Sequence, residues 1–419
     1  MQLLRLQYRS SGGVDHRPAA LVHADCPYTL KHYLLAFSRR PAWRVLTRSG
    51  CTPGGIPALY DQAVLWLDEY ESLDWGVALS PPYRLLSNFC IRKGLGRKAN
   101  FAQSMAAYLA RRSGELQAVL GPCLPHTVVL DLYSALHSRP RWLDRESALA
   151  EALCEAEEAM SGSPGQPWIL KPSITNKGAG IVIVHSLAEL EAEVCREQDI
   201  VQWVLQRYLT RTLLLPLPTG GAHKFHVRVY CLAVGALEVH VFREALLLLA
   251  PEPFAPQDTS RTAAHITNTC VSTGSASFSE ALHVRCLSEL PQLAGVGSAR
   301  VAELFARMCS VVGHCFAAQE GKAAGFMPLP LAWELYGVDF LVGLSEGGGV
   351  GARGARVQPH ARRQADGHPP GWRHWGAAGG RAAACAGWQG APPPAGLLRR
   401  APWQPGRAPL QGPGARSGR

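Results

Sequence analysis

The sequence predicts a mixed α/β protein with antiparallel-rich sheets and flanking helices, a small N-terminal α/β lobe and a disordered C-terminal tail. Three stretches carry that reading. Trp168-Ile-Leu-Lys-Pro-Ser-Ile-Thr-Asn-Lys-Gly-Ala-Gly-Ile181 runs from a short apolar segment through a polar, glycine-bearing loop into a second apolar segment, Ile181 to Val184, the pattern of two strands joined by a loop. Lys224-Phe-His-Val-Arg-Val-Tyr-Cys231 alternates polar and apolar with period two, as a strand with unlike faces does. Val301 to Ala318 instead repeats Leu304, Phe305, Met308, Val312 and Phe316 at helical spacing.

Taken in order, residues 1–85 mix short apolar runs, such as Leu59-Tyr-Asp-Gln-Ala-Val-Leu-Trp-Leu67, with Pro and Gly breaks and form the N-terminal lobe. From 86 to 165 the pattern is mostly helical. Phe101, Met105, Tyr108 and Leu109 recur at helix spacing, and Leu149, Leu153, Ala156 and Met160 do so again. Ser161-Gly-Ser-Pro-Gly-Gln-Pro167 breaks the chain. Residues 166–343 are β-rich up to about Pro253, then carry the 301–318 helix and close on the strand Leu335-Tyr-Gly-Val-Asp-Phe-Leu-Val342. Over 344–419 the composition turns to Gly, Ala, Arg and Pro, which cannot build a core.

The formal charge of the 419-residue chain is +10, but residues 344–419 hold eleven Arg and only Glu346 and Asp366 as acids, so nine of those charges belong to the tail. The balance therefore does not argue for a nucleic-acid-binding fold and leaves only the Arg-rich tail to meet RNA. Twelve cysteines lie scattered with no C-x-x-C or metal spacing, which predicts reduced core thiols. No apolar run approaches the roughly 20 residues that cross a bilayer, and no secretory h-region follows Met1. The expected setting is cytoplasmic, without a membrane.

Several residues could carry chemistry. The loop Ser173 to Gly180 offers Lys177, Gly178 and Gly180 between two strands, a place where backbone N–H groups and a cation could close over phosphates. Lys171 projects from the end of the first strand. An ordinary hairpin reads the same way. Lys224, His226 and Arg228 share one strand face opposite Phe225, Val227 and Val229; three potential cations repel one another unless an anion covers them, although a solvated outer face is the plainer account. Arg243 ends the apolar run Val241-Phe-Arg-Glu244, and His265-Ile-Thr-Asn268 adds small polar groups that equally fit a turn or cap. Asp339, flanked by Val338 and Phe340, needs a cation or donors if its face is buried; Mg²⁺ with a triphosphate is one solution and a structural salt bridge the other.

In this order the segments resemble the tubulin-tyrosine-ligase-like family, whose members have an ATP-grasp fold. The likeness is carried by Trp168-Ile-Leu-Lys171 with its glycine loop, Val204-Leu-Gln-Arg-Tyr-Leu209, Lys224-Phe-His-Val-Arg228, Phe242-Arg-Glu244, His265-Ile-Thr-Asn268 and Tyr336-Gly-Val-Asp-Phe340, with a weaker match at Arg97-Lys-Ala99. The resemblance implies ATP and Mg²⁺ as cofactors and a role for each position. Lys98, Lys171 and Lys224 would grip the phosphates with the loop of Lys177, Gly178 and Gly180, and Gln206, Arg207, Tyr208 and Leu209 would form the adenine slot. Asp339 would hold Mg²⁺, and Arg228 and Arg243 would stabilise an acyl-phosphate. Thr267 and Asn268 would lie on the acceptor side. The substrates implied are a protein carboxylate, of tubulin or another protein, and a free amino acid whose amine displaces phosphate.

Two departures stand out. His226 occupies the catalytic-strand position where the family usually has Asp, as in one branch with Lys-Phe-His. The family's Glu-x-Asn metal strand after Asp339 is missing: every Asn lies at or before Asn268. That loss predicts an exposed edge or a gap in the central sheet and an impaired ATP-dependent carboxylate-amine ligase, with an inactive nucleotide-binding interaction module as the alternative. The tail's abrupt onset predicts translated noncoding or out-of-frame sequence, against a genuine disordered extension.

Overall fold

The computed structural model describes residues 15–48, 55–132, 145–174, 179–197, 199–268, 277–344, 355–360 and 398–400; at 56, 145–148, 355–360 and 398–400 the description is of backbone alone. Three sheets organise it. The N-terminal lobe carries a parallel sheet ordered β2-β1-β3-β4, from β1 (Ala19–Val22), β2 (Arg44–Thr47), β3 (Ala63–Leu67) and β4 (Leu85–Leu86). Every residue of β1 is buried, as central parallel strands covered on both faces must be. The apolar run 59–67 is not one element: it ends the helix Ile56–Gln62 and then becomes β3.

The second sheet is antiparallel and ordered β5-β8-β6-β7, from β5 (Thr127–Asp131), β6 (Trp168–Pro172), β7 (Val182–Val184) and β8 (Gln202–Arg207). One face packs Trp168, Leu170, Trp203 and Leu205 against the helices Arg145–Ser161 and Leu187–Arg196. The opposite face therefore presents Ile169, Lys171, Val204 and Gln206 to a cleft.

The largest sheet has eight strands: β9 (Leu214–Pro216), β10 (Ala222–Val234), β11 (Glu238–Phe242), β12 (Leu246–Leu249), β13 (Val284–Cys286), β14 (Trp333–Val342), β15 (Ala355–His360) and β16 (Leu398–Arg400). Its spine is β10, which pairs antiparallel with β12 through Phe225–Arg228 and with β14 through Val227–Val234. Phe225, Val227 and Val229 are fully buried in the main core with Met308, Val312 and Phe316 of the helix Ser298–Ala317. Helices thus form where apolar residues repeat at three and four, and this one covers all of the predicted 301–318 span except Ala318, its C-cap.

The expected gap beside β14 is not there. A segment of the Gly/Ala/Arg tail, β15, returns antiparallel along it and pairs Gly337–Val342 with Ala355–His360. The backbone ladder is closed, but Ala355-Arg-Val-Gln-Pro-His360 contains no Asp, Glu or Asn. A second piece, β16, pairs with β11. The remainder of 345–419 lies outside the described residues. Among them, Cys26, Cys123, Cys231, Cys309 and Cys315 are buried as expected, whereas Cys154 and Cys195 sit exposed on helices. No helix among the described residues is long and apolar enough to cross a membrane.

Candidate active site

The cleft between the second and third sheets collects residues from six separated segments. Its narrow slot is lined by Ile169 and Lys171 of β6, Ile181, Gln206 and Arg207 at the end of β8 with Tyr208 and Leu209 beyond it, Lys224 and His226 of β10, Thr267 and Asn268, and Asp339 and Leu341 of β14. Strand alternation accounts for most of this. Lys224, His226 and Arg228 share a face of β10 because they are two apart, and Asp339 and Leu341 share a face of β14 for the same reason.

Both faces of β10 are buried, which excludes the solvated-face account: Lys224 is 2% and His226 4% exposed. The expected repulsion among three cations is also corrected, because protein groups already relieve it. Arg228 and Asp339 are direct cross-strand partners. The guanidinium forks onto the carboxylate, Nε donating to Oδ1 and Nη2 to Oδ2 at 2.9 Å. Burial disfavours the Arg228 charge, but the Asp339 carboxylate outweighs it and holds the guanidinium's pKa above its ordinary value. Gly337 makes room for this pair, since a Cβ there would stand 2.9 Å from Arg228 Cδ.

His226 is neutral at pH 7. Burial pushes its pKa down to about 4, against the raising influence of Asp339. Its Nδ1 lies 2.6 Å from Thr267 Oγ1, and its Nε2 lies 3.4 Å from Asp339 Oδ1 without a hydrogen-bond partner among the described residues. Lys224 Nζ donates to the Tyr208 hydroxyl at 2.6 Å and sits over the ring. The same hydroxyl meets His265 Nδ1 at 2.7 Å, and burial raises its pKa. His265 Nε2 in turn meets Asp258 O at 3.0 Å.

The other two lysines line the chamber that adjoins the slot. Lys171 Nζ donates to Gln206 Oε1 at 2.9 Å, and Gln206 Nε2 donates to Thr127 Oγ1 at 2.9 Å. Lys98 opens the helix Lys98–Ala110, as Arg97-Lys-Ala99 implied. Its Nζ donates to Pro172 O at 3.0 Å, and Ser173 caps the helix by accepting from Ala99 N at 3.2 Å. Burial holds the Lys98 ammonium down to about 8. Gly180, just beyond the loop, has φ 68°, and a Cβ there would meet Pro172 Cγ at 2.9 Å; both conditions demand glycine.

Not every predicted residue converges. Arg243 is exposed in the link between β11 and β12 and does not line the slot. The Arg207 side chain turns away to donate to Ser163 Oγ. Lys177 and Gly178 lie outside the described residues. Sequence reasoning assigned no part to Ile169, Ile181 and Leu341, the apolar walls, although the period-two pattern through Lys171 and Asp339 marks two of them. It also missed the Lys224–Tyr208–His265 chain, whose members come from three separate motifs.

Larger cavities adjoin the slot. The slot itself measures about 60 Å³. Beyond the Lys171–Gln206 contact it opens into a chamber of about 380 Å³ walled by Phe101, Met105 and Leu124. On the other side of the ion pair, Arg228 faces a cavity of about 260 Å³ shared with His23, Asp68 and Glu69 of the N-terminal lobe. There Asp68 accepts from His23 Nδ1 at 2.8 Å and from Arg48 Nη2 at 2.6 Å.

For a metal, the described residues offer no group of three His, Cys, Asp or Glu side chains. A single carboxylate in a phosphate-binding slot still suits Mg²⁺, which is commonly held by one or two carboxylates plus substrate phosphates. A carboxylate has about four lone-pair positions, so the Arg228 fork does not by itself exhaust Asp339.

Comparison with known proteins agrees with this architecture. The family model described as "Tubulin-tyrosine ligase family" matches residues 123–346. The chain is 28% identical over 367 residues to a Saccharomyces cerevisiae protein named "Probable tubulin--tyrosine ligase PBY1", covering 78% of this chain but only 45% of that protein. It is 26% identical to the Schizosaccharomyces pombe "Probable tubulin--tyrosine ligase C12B10.04", covering 65% of this chain and 71% of the other. Thus it spans less than half the length of the first relative. Among solved structures, the C-terminal domain of K. lactis Pby1, described as an ATP-grasp enzyme interacting with the mRNA decapping enzyme Dcp2, superposes with TM-score 0.52 at 23% identity, covering 81% of this chain and 84% of that one. The fold is ATP-grasp.

Proposed function

Because the chain belongs to the tubulin-tyrosine ligase family, we propose that it binds ATP in the slot between β6 and β10 and derives from an ATP-dependent carboxylate-amine ligase that modifies a protein carboxylate. One observation carries the reading: Lys171, Lys224, His226, Thr267, Asn268 and Asp339 line one slot although they are spread over 169 residues of sequence, from 171 to 339. Structural salt bridges alone would not require three buried or half-buried lysines at one cleft.

The chemistry requires two anions, carboxylate and triphosphate, to meet, so positioning and fixed positive charge do the catalytic work. Lys98, Lys171 and Lys224 are proposed to hold the phosphates, and Ile169 and Leu341 to sandwich the adenine near Tyr208 and Leu209. Mg²⁺ at Asp339 would supply charge neutralisation of the phosphates. Arg228 is proposed to turn from Asp339 toward the acceptor carboxylate, which would enter through the 260 Å³ cavity. Thr267 and Asn268, which line the slot, are proposed to lie on its acceptor side. The slot of about 60 Å³ is smaller than the ~300 Å³ of ordinary ligand pockets, but it shares Lys171 and Gln206 with the adjoining chamber of about 380 Å³. A free amino acid as amine donor, tubulin or another protein as acceptor, and a cytoplasmic setting belong to this proposal.

A second reading is favoured by β15, which fills the place of the missing metal strand without a carboxylate or Asn. It is a nucleotide-binding module without ligase turnover that works through protein contacts, as the decapping-enzyme interaction of the K. lactis relative illustrates for that protein. Nucleotide titration with and without Mg²⁺, followed by incorporation of labelled tyrosine or glutamate into tubulin, separates the two. Binding with incorporation supports the ligase, binding without it the module, and no binding ends both.

Lys98 gives a pH test. Its free pKa is about 8, and a bound triphosphate favours the charged form and raises it, so binding takes up a proton near pH 8. ATP affinity is expected to be highest below pH 8 and to fall as the pH rises toward the bound-state pKa. Isothermal titration in buffers of different ionisation enthalpy would detect the uptake, and Lys98→Met would flatten the profile. A profile unchanged by that substitution would place Lys98 away from the phosphates.

A further inference from the structure

His226 stands in the slot with one nitrogen fixed and the other without a hydrogen bond. Nδ1 is held at 2.6 Å from Thr267 Oγ1, and the side chain is buried. Nε2 is completely shielded from solvent, has no hydrogen-bond partner among the described residues, and lies 3.4 Å from Asp339 Oδ1. A buried polar atom left in this state is unfavourable and requires an explanation. The second slot histidine does not share it, since both His265 nitrogens are engaged, by Tyr208 and by Asp258 O.

When Nδ1–H is donated to Thr267, Nε2 presents its lone pair toward Oδ1. A metal ion at about 2.1 Å from each atom can span a nitrogen–oxygen separation of 3.4 Å. Thr267 then acts as the outer partner that fixes ring orientation, as such partners do for ligating histidines. Imidazole is a poor ligand for Mg²⁺, which selects oxygen, and a good one for first-row transition-metal ions.

Resting on the nucleotide-slot reading above, we propose that His226 and Asp339 together form a mixed nitrogen–oxygen site that takes a first-row transition-metal divalent cation in preference to Mg²⁺ when nucleotide is bound. The remaining ligands come from phosphate oxygens and water. The site supplies, by one imidazole, part of the coordination that the missing acidic strand does not.

The test uses the full chain with Mn²⁺ and a non-hydrolysable ATP analogue, read by pulsed electron paramagnetic resonance. The expected result is a ¹⁴N modulation from imidazole on the Mn²⁺ signal, replaced by the ¹⁵N pattern when the chain is labelled with ¹⁵N-histidine, which needs no substitution. In His226→Gln the modulation should vanish and Mn²⁺ affinity fall about ten-fold or more, with Mg²⁺ affinity little changed. Mn²⁺–nucleotide binding with no nitrogen coupling, or with coupling that survives in His226→Gln, overturns the metal assignment while leaving the nucleotide slot standing. Failure of the analogue to bind at all overturns both.

Discussion

Replacing Arg228 with alanine is expected to destabilise the protein by about 3–5 kcal/mol, because it strands a buried carboxylate without its partner. Asp339 is 5% exposed and receives both prongs of the guanidinium. The imidazole beside it cannot substitute as a cation, being held neutral at pH 7 by its own burial. Denaturant titration at neutral pH measures the loss. The double substitution Arg228→Met with Asp339→Leu should recover most of it, since apolar groups of similar size often replace a buried ion pair without net cost. The double variant is nevertheless expected to bind Mg²⁺–nucleotide poorly. A single-variant loss below about 1 kcal/mol would mean that the pair behaves as a solvated surface bridge.

Phe225→Ala is expected to have a comparable effect, about 3–5 kcal/mol, from lost burial and the cavity left behind. Its ring is fully buried in the main core, on the reverse side of the strand residues that carry Lys224 and His226. The functional consequence follows from that placement. A strand no longer clamped from behind holds its cationic side less firmly, so nucleotide affinity should fall even in the fraction that remains folded. Fluorescence-monitored denaturation gives the first effect and a nucleotide titration below the transition gives the second. An unchanged midpoint would show that the core closes over the gap.

The parts of the site set by short-range periodicity were readable in the chain. Lys224, His226 and Arg228 had to share a side once β10 was recognised, and the helix beginning at Lys98 was marked by its apolar repeat. Pairings across long sequence separations were not readable. Arg228 meets Asp339 across 111 positions because β10 and β14 adopt one particular register, and nothing in either segment alone fixes it. The same limit left both the salt-bridge and the metal accounts of Asp339 open. Arg243 was misplaced because the link after β11 carries it outward, a matter of turn geometry that motif order does not encode. The N-terminal lobe was legible as α/β, but the role of Asp68 in anchoring His23 and Arg48 was not, because the three come from different loops.

The strand Ala355–His360 shows how little a sheet asks of its last member. Main-chain amides and carbonyls are common to nearly all residues, so recruitment to the margin of β14 requires reach and an extended backbone rather than a particular vocabulary of side chains. Even Pro359, which has no amide hydrogen, is accommodated opposite Val338 at a border where one missing donor is tolerable. Architectural wholeness and chemical competence are therefore separable here: a scaffold can be mended by a stranger that brings none of the tools.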